Sequence, residues 1–143
     1  MTTSANADAE IRSLLARIAQ LADTCTDLDD YLALFTEDAV WSMPENPTMG
    51  LPASEKRGRA DIRAGAEERR AGGVQGPGTE TRHVLTTTAV NVESDDRATA
   101  RSYFQFYAST ASQPVLRNMG QYDDVLVRGE RGWQLAHRTI TFG

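Results

Sequence analysis

The chain has 143 residues, of which 40% are apolar and 24% charged, enough for one domain built on a single hydrophobic core. Its net charge of -5, and basic residues that alternate with acids in "ASEKRGRADIRAGAEERR", argue against a surface that tracks phosphates, so no nucleic-acid partner is expected. No run reaches membrane-spanning length and "MTTSANADAE" lacks a leader's basic and apolar regions, so no membrane partner and a cytoplasmic location are expected.

In chain order, residues 1–8 are polar and expected to be disordered. "DAEIRSLLARIAQLADT" follows with Ile11, Leu14, Leu15, Ile18, Leu21 and Ala22 on one helical stripe. Cys25, the single cysteine, excludes an intrachain disulfide and reads as a small buried hydrophobe. "TDLDDYLALF" predicts a second, short helix capped by Thr26 or Asp27, with Leu28, Tyr31, Leu32 and Phe35 on its apolar side. "TEDAVWSMP" switches to an extended segment ending at Pro44, and "ENPTMGLPASEKRG" reads as an irregular loop. "RADIRAGAEERRAG" is a third helix stopped by Gly72 and Gly73. From Thr79 the period becomes two: "ETRHVLTTTAVNVE", "ATARSYFQFYAST", "VLRNMGQYDDVLVRG" and "GWQLAHRTITF" are β-branched and aromatic and separated by short turns. Helices first and antiparallel strands afterwards specify an α+β domain over residues 1–143, with helices on one face of a strongly curved sheet.

This layout, and locally "DLDDYLALFTEDAVW", "GRADIRAG", "TRHVLTTTAVNV" and "GQYDDVLVRGERGWQLAHRTI", resembles the SnoaL-like branch of the nuclear transport factor 2-like superfamily from about Ala9 to Ile140. The resemblance implies a cone-shaped α+β barrel, three N-terminal helices on a mostly antiparallel sheet, enclosing an apolar pocket for one small hydrophobic molecule. It specifies chemistry only weakly, because the superfamily holds dehydratases, dehydrochlorinases, isomerases, polyketide cyclases, dioxygenase small subunits and non-catalytic proteins. The chain can supply a lining from Tyr31, Phe35, Trp41, Met43, Met49, Leu85, Tyr103, Phe104, Phe106, Tyr107, Met119, Tyr122 and Phe142, although a plain core would use many of the same residues.

The scytalone dehydratase and hexachlorocyclohexane dehydrochlorinase groups use a histidine held by an aspartate as base, and His83 stands where their strand histidine does. Its partner falls near the end of the first helix. Counting back from "LFTEDAVW" reaches Thr24; counting forward along the apolar stripe from Ile11 reaches Asp23, which is preferred because core packing constrains helical phase while a turn absorbs an extra residue easily. Trp41 and Arg138 match a pocket Trp and Arg of the dehydrochlorinase group, with Arg138 able to polarise or bind a leaving group. Strict alternation puts His83 with Leu85, Thr87, Ala89 and Asn91, opposite Val84, Val90 and Val92, and puts Arg138 opposite Trp133, Leu135 and His137. His137 reads as structural or exposed.

The resemblance therefore implies a lyase or isomerase that needs no cofactor and no metal, with His83, Asp23 and Arg138 as catalytic residues and a small hydrophobic cyclic substrate. A ligand-binding protein with the same pocket, and an accessory subunit like the small subunit of ring-hydroxylating dioxygenases, are the alternatives. A homodimer formed through the open sheet face is expected, with a trimer as the variant.

Overall fold

A computed structural model describes residues 3–143; residues 1 and 2, part of the stretch expected to be disordered, lie outside the described residues. Helix α1 (Ser4–Thr24) begins inside that polar stretch, because the Thr3 side chain accepts a hydrogen bond from the Asn6 amide at 3.2 Å and Ala7 already packs into the core. Its predicted stripe is buried at Ile11, Leu14, Leu15, Ile18 and Ala22, each large side chain contributing about 1.5–3 kcal/mol on leaving water. Helix α2 (Leu28–Leu32) is capped by Asp27, whose carboxylate accepts from the Asp29 amide at 2.8 Å. Phe35, expected on that helix, instead opens strand β1 (Phe35–Met43).

The loop expected between Pro44 and Gly58 contains a short strand, β2 (Ser54–Arg57), antiparallel to β1. Its sequence SEKR has no apolar alternation, so pairing with β1 rather than burial of a face makes it a strand. Helix α3 (Gly58–Ala71) follows, then the meander β3 (Arg82–Val92), β4 (Arg97–Ala108), β5 (Val115–Gly129) and β6 (Gly132–Phe142). Among the described residues these strands form one six-stranded sheet in the order β2-β1-β6-β5-β4-β3, antiparallel except where β1 joins β6. The expected α+β class, with helices packed on a mostly antiparallel sheet, is the one observed. No helix among the described residues is long and apolar enough to cross a membrane.

Bulges decide which residues face the helices. In β3 two residues, Thr87 and Thr88, stand opposite Ser102 alone, and Thr87 takes a left-handed backbone at φ 52°. Past that point the parity inverts. His83 and Leu85 point inward as expected, but Thr88, Val90 and Val92 follow them, whereas Val84 is exposed on the other face. The expectation that the valines share one face is thus corrected by one extra residue. In β6, Ala136 is the extra residue: Val125 pairs with His137 while Leu126 pairs with Leu135, so Trp133, Leu135 and Arg138 all turn inward. Strict alternation had put Arg138 on the opposite side.

The inner face of β4 and β5 is aromatic. Phe104 stacks on Tyr122 at 4.4 Å between ring centroids and meets Phe142 edge-on at 5.9 Å. That stack needs Gly120, where a methyl group would lie 2.3 Å from the Thr141 carbonyl oxygen and 2.8 Å from the Phe104 ring. Gly120→Ala is expected to destabilise the fold by about 1–3 kcal/mol in urea unfolding, whereas Gly129→Ala, where the added carbon meets nothing within 4 Å, costs under about 1 kcal/mol.

Candidate functional site

Between the helices and the concave face lies a cavity of about 340 Å³, walled by Ile18, Ala22, Tyr31, Trp41, Phe104, Phe106, Tyr122 and Phe142. Polar side chains, among them Lys56, Arg69, Asn118 and Arg138, interrupt that apolar lining. His83 is another, and its ring packs against Phe106 at 4.7 Å between centroids.

Asp23 grips His83 twice. One carboxylate oxygen, Oδ1, lies 2.7 Å from Nδ1 of the ring, and the other, Oδ2, accepts the His83 backbone amide at 3.0 Å. Both side chains are largely out of water, 13% exposed for His83 and 7% for Asp23. An ionised carboxylate can only accept, so the neutral imidazole carries its proton on Nδ1 and keeps the Nε2 lone pair free. Thr24, the other residue reached by counting, donates its hydroxyl to the Gln20 carbonyl at 2.8 Å and points to solvent. The helical count that gave Asp23 is the one that matches the geometry.

The end of α1 that carries Asp23 is anchored from α3. The Arg70 guanidinium donates to the carbonyls of Cys25 at 2.7 Å and Ala22 at 3.3 Å, groups that a helix C-terminus leaves without partners. On the other flank, Arg12 donates to the Thr88 carbonyl in the β3 bulge at 2.9 Å. Two arginines thus pin α1 to the element that carries the histidine and to the helix beside it.

Across the sheet, register sets a row on the inner face: Lys56 opposite Trp41, Trp41 opposite Arg138, and Arg138 opposite Asp124. Arg138 is 3% exposed and donates from Nε and Nη2 to both oxygens of Asp124 at 2.8 and 2.9 Å, while its guanidinium lies 3.9 Å from the Tyr122 ring centre and 5.8 Å from that of Trp41. Burial opposes the charge on Arg138, but the Asp124 carboxylate outweighs it and holds the guanidinium above its ordinary pKa. Burial also raises Asp124 above the usual carboxylate range against the pull of Arg138; the two-point contact is the geometry of an ionised pair. The Tyr122 phenol is pushed up to about 12 by burial, with Arg138 pulling the other way, and Tyr31 is raised further by the same cause. Both phenols are neutral donors at any physiological pH.

The structure brings His83, Asp23, Arg138, Tyr31, Trp41, Met43 and Tyr122 to the cavity or its wall. It does not bring six others. Phe35 is fully buried beneath the wall, edge-on to Tyr31 at 5.0 Å and Trp41 at 5.9 Å, and Leu85 packs into the core rather than lining the space. Tyr103, Tyr107 and Met119 project from the outer face, because Phe104 and Phe106 on β4, and Asn118, Gly120 and Tyr122 on β5, occupy the inward parity. Met49 is likewise exposed on its loop. His137 is on the outer side, within 3.2 Å of the Ser42 hydroxyl. The sequence reading missed Asp124, Asn118, Lys56 and Arg69. Asp124 had a signal: it alternates with Tyr122 and Leu126, an acid on an otherwise apolar parity.

Comparison with known proteins gives a family and several structural relatives. The SnoaL-like domain model matches residues 3–139. ActVI-ORFA from Streptomyces coelicolor is 31% identical, with 94% of this chain and 95% of that one covered and a TM-score of 0.70. A protein from Novosphingobium aromaticivorans, provisionally described as an aromatic ring hydroxylase, is 27% identical over 99% of this chain and 92% of its own, with a TM-score of 0.74. A protein from Catenulispora acidiphila in complex with S-DNPA shares the fold at 23% identity, 97% and 95% coverage and a TM-score of 0.75. No protein of curated function matches the sequence.

The buried Arg138–Asp124 pair carries a stability expectation. Asp124→Asn, which leaves the guanidinium without its counter-charge in a dry wall, is expected to cost about 3–5 kcal/mol in urea unfolding, and replacing both residues by Leu and Met far less. Equal losses in the two variants would show that the pair is not the source.

Proposed function

This chain belongs to the SnoaL-like domain family, and from that premise we propose that it is a lyase or isomerase acting by proton transfer on a small, largely apolar cyclic substrate, with no cofactor. The observation that carries the reading is the 2.7 Å contact between Asp23 Oδ1 and His83 Nδ1 at the wall of an apolar cavity. Such a pairing leaves Nε2 as the only basic nitrogen of the ring and supplies a fixed negative charge to the imidazolium that forms when it takes a proton.

In the proposed step, Nε2 removes a proton from a carbon next to a carbonyl group. The C–H bond breaks, its electron pair moves into the enolate, and the new N–H bond makes His83 a cation held by Asp23. The enolate then expels a β-hydroxyl, to which the imidazolium returns the proton as water leaves, or it is reprotonated at another carbon. Negative charge growing on the substrate oxygen meets the neutral Tyr122 and Tyr31 phenols, which low surrounding polarity makes more effective than the same groups in water, and the Arg138 guanidinium, whose charge Asp124 offsets, adds the local dipole of that pair. Arg138 acts here as a fixed field rather than a mobile ligand, since Asp124 and the Tyr122 ring hold it.

The test is deuterium incorporation from D₂O into 2-tetralone, a bicyclic ketone with acidic C–H bonds, followed by proton NMR. The wild-type chain should accelerate exchange, and His83→Gln should lower the enzymatic rate by about 10²–10⁴-fold. Exchange that does not depend on His83, or that stays at the solvent rate with the wild-type chain, would leave the cavity as a binding site without this chemistry.

A further inference from the structure

Although the chain carries a net charge of -5, the cavity wall is cationic: Lys56, Arg69 and Arg138 line it. The carboxylates that bond lining residues are already used, Asp23 by His83 at both oxygens and Asp124 by Arg138 at both oxygens. Arg138 is therefore neutralised. Among the described residues, Lys56 and Arg69 have no carboxylate within ion-pair distance, whereas Arg12, Arg57, Arg63, Arg97, Arg101 and Arg138 each have one.

These two cations are built to converge. Lys56 stands opposite Trp41 on the edge strand, which sends its side chain to the inner face. Arg69 comes from the last turn of α3 and lies with its guanidinium carbon 5.7 Å from the Trp41 ring centre. Both pass over Gly65: a methyl group there would be 3.2 Å from Arg69 Nη1 and 3.8 Å from Lys56 Cε. A side chain at 65 would crowd the Arg69 guanidinium and touch the Lys56 stem. Two like charges brought together beside an apolar cavity repel each other, and an anion between them removes that repulsion while gaining two charge-assisted hydrogen bonds.

We infer that the substrate is an organic acid, its carboxylate seated between Lys56 and Arg69 and its apolar body against Trp41, Tyr31 and Tyr122. The inference rests on the proton-transfer reading only for what happens at His83; the anion site stands on the unpaired cations and is tested by binding alone. Lys56 and Arg69 become specificity-determining residues, and Arg69 is the better of the two because its planar fork can hold a carboxylate at two points over the Trp41 face.

The experiment is isothermal titration calorimetry of the full chain with 2-naphthoate and with its neutral isostere 2-naphthamide, at low ionic strength and near-neutral pH. The wild type should bind the acid about tenfold more tightly than the amide. Lys56→Met with Arg69→Met should reduce that preference to less than about twofold with amide binding retained, and His83→Gln should keep it. Preference kept in His83→Gln, in a protein that catalyses no exchange, would uphold the anion site and remove the proton-transfer reading. A wild type without preference, a double variant that keeps it, or a preference lost in His83→Gln would overturn the inference. If the double variant does not fold, raising salt from about 20 to about 300 mM must shrink the wild-type preference, and an unchanged ratio would overturn the inference equally.

Discussion

The two-point hold of Asp23 on His83 is the contact on which the architecture of the site depends. A carboxylate taken out of water must have its oxygens satisfied, and here a single residue satisfies both, through its ring and its own amide. That fixes more than a side chain. It ties the last turn of α1 to the first residues of β3, 60 positions apart, so turning the imidazole costs its bond to the helix. Arg70 and Arg12 extend the same logic, each donating to a backbone carbonyl that the local fold leaves open.

A second layer of order comes from sheet register. Because Lys56, Trp41, Arg138 and Asp124 are direct neighbours on four adjacent strands, their side chains share a face without any further device. The charges in that row alternate with an aromatic ring. The two cations of the row differ in fate: Arg138 is locked to Asp124, whereas Lys56 is unpaired at the sheet edge, where a ligand can reach it. Positive charge is thus graded from a fixed, neutralised wall to an unneutralised opening.

Much of this was legible in the sequence. The helical stripe from Ile11 to Ala22 locates Asp23 on the buried side of α1, and the period of two after Thr79 gives the meander. What was not legible follows from single-residue events. Bulges at Thr87 and Ala136 each insert one residue, and one residue inverts every later side chain, so the inward turn of Val90 and of Arg138 is invisible to strict alternation. Tyr103, Tyr107 and Met119 were attractive as lining because they are aromatic or flexible, yet Phe104 and Phe106 offer a continuous apolar parity and win the inner face. The strand β2 carries charge at every position after Ser54 and shows no periodicity, which hid Lys56 with it. Arg69 looked like one more charge on a solvated helix, and only the bare Gly65 one turn earlier marked the face it crosses.

The central claim is that Asp23 dictates which nitrogen of His83 holds the proton and so leaves Nε2 as the base. Long-range ¹H–¹⁵N correlation of uniformly labelled protein, with His83 assigned by comparison with a His137→Gln variant, reads that tautomer directly. At a pH where the ring is neutral, the account predicts a predominantly Nδ1-protonated His83 in the wild type and a shift toward the Nε2-protonated form in Asp23→Asn. The same tautomer mixture in both proteins would show that Asp23 does not set the proton, and the case for a histidine base in this pocket would fall with it.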